Sequence, residues 1–414
     1  MNAYRLLRHR PYRRMLAAHF LSGIGDWFNS VAILSLLLQL TGTSMAVGVT
    51  LALRTLPYLL FGPLGGKLAD RFSRKRILVI CDAARALIAL SFLLISSKED
   101  IWIAYAGTFS LIAFSAAYQP ARAAMIPQIV PKEDVAAANA LEQSVLGTVM
   151  AIGSLVSGVV TSVWGPGVAF VCNALSFVAS ALLIIGVPVP HDRKHPPESA
   201  APDAPSPTFR ELLPLFRQTP LVPLILAFSL LWPVGGGIAN VLISVYAYQE
   251  FHAGNAGIGL LYGAIGVGFL VGGLLSAALQ RWPFHVAAVS MTAEGIAHLL
   301  ISAAPSLSAA AVLFCLSTIA GGMGNASLQT LLMQRVPDRF LGRVFALEGT
   351  FSGVVIGCSM LAGGWLLAIV PPRTLGCISG LFITLISLAI GLALLRFQKH
   401  EQKRPTPRTG VGVS

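Results

Sequence analysis

The chain of 414 residues contains twelve long apolar runs, approximately residues 16–39, 46–69, 77–97, 101–122, 138–163, 166–187, 221–248, 257–279, 286–304, 308–332, 344–369 and 374–395. An apolar run of about 20 residues crosses the roughly 30 Å hydrocarbon layer of a bilayer as an α-helix. Lipid offers no water to satisfy backbone N–H and C=O groups, so each span must bond internally along its whole length. With 55% hydrophobic and 11% charged residues, the chain lacks the polar surface of a soluble protein this size. The expected fold class is an all-α membrane protein with twelve transmembrane helices.

Charge is unevenly placed between these runs. A net charge of +12 would point to nucleic acid in a soluble protein, but here the basic residues follow topology. With the N-terminus inside, only Lys98 and Arg373 fall outside and only Arg54 and Arg85 fall within spans, of 29 Lys and Arg residues. Enrichment of Lys and Arg on the cytoplasmic side sets orientation. Both termini are therefore expected in the cytoplasm of a multi-pass cell-membrane protein, such as one of a bacterial inner membrane, with no nucleic-acid partner. The first run is too long for a signal peptide and contains Asp26, so it is expected to remain as a span. Five cysteines lie in apolar segments without metal-ligand spacing, and neither a metal nor a cofactor is expected.

Residues 187–220 are rich in proline, serine and charge and cannot build a core. They divide the chain into an N-terminal six-helix bundle (1–187), a cytoplasmic linker (188–220), a C-terminal six-helix bundle (221–396) and a disordered cytoplasmic tail (397–414). The halves also share a repeat. PQIVPKEDVAAANALEQS, from Pro127, returns as MQRVPDRFLGRVFALEGT, from Met333, matching Gln128, Val130, Pro131, Ala140, Leu141 and Glu142 to Gln334, Val336, Pro337, Ala346, Leu347 and Glu348. Both copies lie between the fourth and fifth runs of their half, so the halves read as parallel repeats. Two such bundles around a shared site form a transporter architecture. It is expected to work as a monomer, with a small-molecule substrate, protons and membrane lipid as partners.

The densest charge lies in GGKLADRFSRKRIL, residues 65–78, between the second and third runs. Its Gly66, Asp70, Arg71, Arg74, Lys75 and Arg76 resemble the loop signature of the major facilitator superfamily, with Ser73 where glycine is usual. The twelve spans, the linker and the repeat extend the resemblance over nearly the whole chain. PARAAMIPQIVPKEDVAAANAL, from Pro120, looks like the bacterial drug, macrolide and siderophore exporters of that superfamily. The resemblance implies two pseudo-symmetric six-helix bundles, alternating access and a cytoplasmic gate. In such a gate Asp70 meets a helix N-terminus of the opposite half, and the basic residues pair with acids such as Glu348. The alternative is that the basic residues act only as topology anchors and lipid ligands. The corresponding loop of the second half, SAALQRW at 276–282, has Gln280 in place of the acid. That leaves Arg281 to face Glu142 or to sit among headgroups.

An ionised side chain near the bilayer centre costs roughly 2.5–3.5 kcal/mol on insertion scales, so it needs a partner, a water cavity or a function. Asp26 and Arg54, in the first two runs, are expected to pair across neighbouring helices. The functional reading makes Asp26 a proton acceptor tuned by Arg54, and the plainer one makes them a static pair. Glu294 and His298 are four apart and share a helical face, where they relay protons or satisfy one another. Asp82 and Arg85 are expected nearer the cytoplasm, as a structural link to the gate.

In the superfamily, helices one, four, seven and ten line the central cavity, which here implies Asp26, Asn29, Tyr118, Trp232, Asn240 and Asn325. So few strongly polar groups suit hydrophobic or amphiphilic organic molecules. LLWPVGGGIAN sets Pro233 before Gly235, Gly236 and Gly237, so the seventh helix is expected to kink or unwind there. GGMGN at 321–325 gives the tenth helix similar freedom. GSLVSG, with Gly153 and Gly158, looks like a degenerate antiporter signature and supplies a hinge in the fifth. The expected function is proton-coupled efflux of hydrophobic or amphiphilic small molecules. Siderophore or lysophospholipid transport and proton-coupled nutrient uptake are the alternatives. HExxH, GxSxG and P-loop motifs are absent, which argues against an enzyme, and a channel is the remaining rival.

Overall fold

The computed structural model describes residues 3–61, 72–131, 134–188, 216, 219–279 and 281–402. Among them, eleven continuous helical stretches are long and apolar enough to cross a membrane. One of these, Ser144–Ile185, has 42 residues and would extend roughly 63 Å at 1.5 Å per residue, about twice the hydrocarbon layer. It is two helices. At Gly165 the backbone takes φ 83° and ψ 169°, a conformation that glycine adopts without steric cost, and Pro166 then opens the next helix with a φ suited to a first turn. The twelve expected crossings are therefore all present.

They are α1 (Arg10–Thr41), α2 (Ser44–Phe61), α3 (Arg74–Ser91), α4 (Ile101–Ile129), α5 (135–164), α6 (166–185), α7 (Leu221–Val245), α8 (Gly254–Ala278), α9 (Pro283–Ser302), α10 (Leu307–Arg335), α11 (Asp338–Leu366) and α12 (Pro372–Gln402). An even number of crossings returns both chain ends to one side, the terminal face, opposite a distal face. α12 runs past the expected tail boundary at Arg396 as far as Gln402. Lys399 and His400 in its last turn suit the negative end of the helix dipole. Residues 403–414 and nearly all of the linker lie outside the described residues.

Local breaks follow from particular residues. α2 loosens at Arg54–Thr55, where single turns run from Arg54 N–H to the Leu51 carbonyl (3.1 Å) and from Thr55 N–H to the Ala52 carbonyl (3.0 Å). Pro57, just beyond, cannot donate its own bond and its ring crowds the carbonyl four residues back. In α5 a π-turn spans Val149–Gly153, so the expected hinge glycine ends an irregular turn. α7 corrects the expectation of unwinding, because it stays helical through Pro233–Gly237. Ser359 of α11 donates to the Val234 carbonyl (2.5 Å) and Ser379 of α12 to the Gly235 carbonyl (2.9 Å). Gly235, Gly236 and Gly237 are buried, and the first and third give room to α12 and α11. Close packing, not unwinding, is what these small residues provide here. The 321–325 stretch is likewise continuous helix within α10.

The apolar core divides along the membrane normal. Toward the distal face a single cluster draws on both halves, joining Leu34, Leu51, Phe92 and Phe170 to Val241, Ile258, Tyr262 and Met360. Toward the terminal face there are two. One belongs wholly to the N-terminal half, around Tyr12, Leu78, Met125 and Ile184, and the other wholly to the C-terminal half, around Ile225, Met291, Leu331 and Leu394. Small residues seal the distal seam. A Cβ on Gly48 of α2 would overlap the Met360 carbonyl and Gly364 of α11, and one on Gly158 of α5 would overlap Gly259 of α8. Trp27 of α1 meets Tyr262 of α8 with ring centroids 5.2 Å apart.

Candidate transport site

Between α1, α2, α3 and α4 lies a cavity of about 110 Å³, walled by Asp26, Asn29, Arg54, Tyr58, Arg85, Thr108, Ser115 and Gln119 with Ile33, Leu111 and Ile112. The break before Pro57 places Arg54 at a loosened turn of α2 and Tyr58 one turn beyond. Asp26 and Arg54 share this cavity but form no ion pair among the described residues, so the expected pairing is not made. Asp26 Oδ1 and Asn29 Oδ1 are both buried without a hydrogen-bond partner, which leaves two acceptors open to whatever occupies the space.

Asp82 and Arg85 do pair, one turn apart on α3, at 0% and 3% exposure. Ser180 of α6 donates to Asp82 Oδ2 (2.7 Å), and Arg85 reaches Ser115 Oγ at 3.4 Å. The Arg85 guanidinium lies 4.3 Å from the Tyr118 ring centroid and 4.4 Å from that of Phe177, within cation–π range. Expected as a link to the gate, Arg85 is instead part of the cavity wall, with Asp82 behind it. Tyr118, expected to line the cavity, packs beneath that guanidinium. The expectation of a site without clustered fixed charge is corrected as well, since one carboxylate and two guanidiniums border a single space.

Among the described residues, the C-terminal half contributes none to this cavity. Asn240 is half-buried and Asn325 exposed, while the Trp232 indole Nε1 is buried beside Glu294 without a well-formed hydrogen bond. Glu294 is itself buried and its carboxylate packs on Gly321 of α10, where a Cβ would collide with it. It has no ion pair among the described residues. His298 does not meet that carboxylate. Its Nδ1 lies 3.0 Å from the Glu294 main-chain carbonyl and 2.9 Å from Ser317 Oγ. A helical side chain leans back toward the preceding turn, and the short imidazole arm reaches the backbone there, so the expected side-chain pair is not assembled.

Nearer the terminal face, Glu142 of α5 pairs with Arg122 of α4, and His19 of α1 brings Nδ1 within 2.8 Å of Glu142 Oε2. That last approach lacks good hydrogen-bond alignment. Arg122 also donates to Gln119 Oε1 (3.0 Å), tying this cluster to a cavity residue. Of the two readings of Arg281, the contact with Glu142 is not made among the described residues. Arg281 is exposed, with its guanidinium 4.4 Å from the Trp282 ring centroid. Glu348, the repeat partner of Glu142, accepts from Ser229 Oγ of α7 (3.3 Å). Each repeat glutamate thus contacts the first helix of its own half.

Of the loop signature, Lys75 Nζ donates to the Val187 carbonyl (2.9 Å), and Arg14 donates to the Gly186 carbonyl beside it. Both cap the C-terminal end of α6, as cations favour. Arg76 is exposed, and Arg74 is half-buried with its Nε unpartnered. Gly66, Asp70 and Arg71 lie outside the described residues. Gly153 abuts Trp27 and Gly158 abuts α8, so both expected hinge positions sit at close helix contacts. Sequence reasoning missed His19 and Arg122. The signal was a titratable side chain inside an apolar run, the same feature that singled out Asp26.

The family model for the Major Facilitator Superfamily matches residues 15–283 and 233–414. The chain belongs to this superfamily. Among curated relatives of the facilitator, an enterobactin exporter, EntS, of Citrobacter koseri is 24% identical, covering 98% of this chain and 97% of its own length. An uncharacterised facilitator-type transporter of Bacillus subtilis, YfiS, is also 24% identical, covering 86% of each chain. Among solved structures, an inward-facing, unoccupied bacterial homologue of the human lysosomal transporter Spinster superposes with a TM-score of 0.73 at 15% identity, covering 97% of this chain and 99% of that one. A bacterial homologue of the iron transporter ferroportin, in an inward-facing state, gives 0.71 at 16%, covering 94% and 98%. The facilitator is a membrane transport protein and not an enzyme.

Proposed function

We propose that this facilitator exports an amphiphilic organic molecule with a polar, hydrogen-bonding head, by alternating access and in exchange for protons. The observation that carries the reading is the charged cavity of the N-terminal half, whose Asp26 and Asn29 acceptors lack protein partners while Arg54 forms no ion pair among the described residues. A ligand offering both donor and acceptor groups satisfies all three. The divided core supports alternating access, because halves joined at one face and parted at the other describe one end state of a rocking motion. The bias of basic residues toward the terminal face makes that face cytoplasmic, so the protein stands open to the inside.

Relatives named for enterobactin export favour efflux, with a siderophore-like head as the form of substrate that suits the cavity. A hydrophobic drug is the second reading, favoured by the apolar segments Ile33, Leu111 and Ile112 of the same wall. Asp26 is the proton acceptor in either case, since it is the cavity's acid without an ion pair. One charge moving through 100 mV supplies about 2.3 kcal/mol, enough for roughly a 50-fold gradient of a neutral substrate.

The test is substrate-dependent proton release from inverted membrane vesicles, with enterobactin and ethidium as parallel probes. Enterobactin-driven release from wild type, absent in Asp26→Asn, is the expected outcome. Release with ethidium alone selects the drug reading. Release that persists undiminished in Asp26→Asn removes this residue from coupling and turns attention to Glu294.

A further inference from the structure

The turn between α8 and α9 of the C-terminal half occupies the sequence place of the N-terminal loop signature, but it has lost the acid. Below it, on the outer flank of the bundle, runs an apolar groove of about 440 Å³ walled by Leu279, Trp282, His285, Val286, Val289 and Met323. The head of this groove is cationic and aromatic. Arg281 lies with its guanidinium 4.4 Å from the Trp282 ring centroid, and Trp282 and His285 are both exposed at the same end. Neither the turn nor the first three turns of α9 carry an acidic residue before Glu294.

An indole and a guanidinium at a helix terminus mark the depth of lipid headgroups, and the apolar wall beneath them continues to acyl-chain depth. A soluble ligand would leave Val289, 68% exposed, against hydrocarbon. A zwitterionic lipid would bring an ammonium along with its phosphate and so leave the positive charge of Arg281 unbalanced overall. Stacking on Trp282 restricts the guanidinium and presents its edge donors, which match phosphate oxygens in a fork. We infer that this groove is a binding site for one anionic phospholipid, its phosphate on Arg281 and its acyl chain along Trp282, Val286, Val289 and Met323. Met323 lies in the glycine-rich turn of α10, so the lipid braces a helix implied to line the central cavity.

Native mass spectrometry of the full-length protein, released from mixed micelles holding phosphatidylglycerol and phosphatidylethanolamine in equal amounts, tests the assignment. Wild type is expected to retain phosphatidylglycerol preferentially. Arg281→Gln is expected to lower that retention about fivefold, the equivalent of the roughly 1 kcal/mol that one basic residue contributes at an anionic lipid surface. Arg396→Gln, an exposed cation at the same face on α12, is expected to leave it unchanged. Trp282→Phe keeps the apolar wall while weakening the stack, and is expected to give an intermediate loss. Equal retention of the two lipids by wild type overturns the inference, as does an equal loss in Arg281→Gln and Arg396→Gln, which would mark a diffuse surface-charge effect. Unchanged melting of each variant in detergent confirms that the readout concerns lipid and not folding.

Discussion

The two halves share a fold and a repeat, yet they spend their polar residues differently. Within its spans the N-terminal half holds Asp26, Arg54, the Asp82–Arg85 pair and the His19–Glu142–Arg122 cluster, connected through Gln119. The corresponding part of the C-terminal half holds Glu294 without an ion pair among the described residues and Glu348 on a serine hydroxyl. In place of charge it has the serine-supported, glycine-packed middle of α7. A duplicated scaffold has thus divided its work. Among the described residues, one half carries the clustered charge within its spans, and the other a closely packed middle of small residues.

The comparison is most easily broken at Arg85. Arg85→Ala leaves Asp82 fully buried with only Ser180 as a partner, and removal of one member of a buried pair costs about 3–5 kcal/mol. Thermal unfolding in detergent should show a larger loss than any single truncation around Glu142 or Glu348. The double variant Asp82→Asn/Arg85→Gln should regain much of it, because no uncompensated charge remains. A small loss in Arg85→Ala would mean that water already reaches Asp82, and the charge asymmetry between the halves would then have little energetic meaning.

A second test addresses the seam where the halves meet. Gly48→Leu forces a side chain into the Gly364 backbone, so the distal face cannot close and transport should fall by an order of magnitude or more. With the five native cysteines replaced by alanine, labelling of the cysteine placed by Leu34→Cys should become faster from the distal side. Gly273→Leu, where a side chain meets nothing within 4 Å, should leave both measurements unchanged. Equal damage from the two leucines would show that helix packing in general, and not closure at this seam, limits transport.

Much of this is readable from the chain alone. Twelve crossings, the six-and-six division and the parallel repeat follow from run length and the Glu142 and Glu348 segments, because lipid allows so few backbone solutions. Gly165–Pro166 even marks the turn between the fifth and sixth helices, although helix boundaries elsewhere differ by several residues. The polar site is legible as a set of residue types and not as a set of contacts. Asp26 and Arg54 stand out in the sequence, but whether they pair is not written in their spacing, and the loosened turn of α2 at Arg54 is a local feature of the folded chain. Arg85 reads as part of the gate because position along a helix gives depth and not rotation. His298 reads as a partner of Glu294 because spacing identifies a shared face without saying whether a ring bonds to a side chain or to a carbonyl. A contact of Glu142 with Arg281 across the halves depends on which end state the bundles occupy.

The smallest effects separate the two repeat glutamates. Glu142 is held by a guanidinium and an imidazole, Glu348 by the Ser229 hydroxyl alone among the described residues. Arg122 gives Glu142 an opposite charge and a hydrogen bond together, and such charge-assisted bonds are the strong ones, whereas the His19 approach lacks alignment and the Ser229 hydroxyl lies 3.3 Å from Glu348. Arg122→Gln should therefore destabilise the protein by more than either His19→Ala or Ser229→Ala. Melting temperatures of the three variants, each with and without the matching Glu→Gln change, give the coupling of every pair. A steep order from Arg122 to Ser229 means that charge has become a property of one half. Equal couplings for Arg122 and Ser229 would mean instead that both glutamates only fasten helices within their bundle, with the repeat still doing the same job twice.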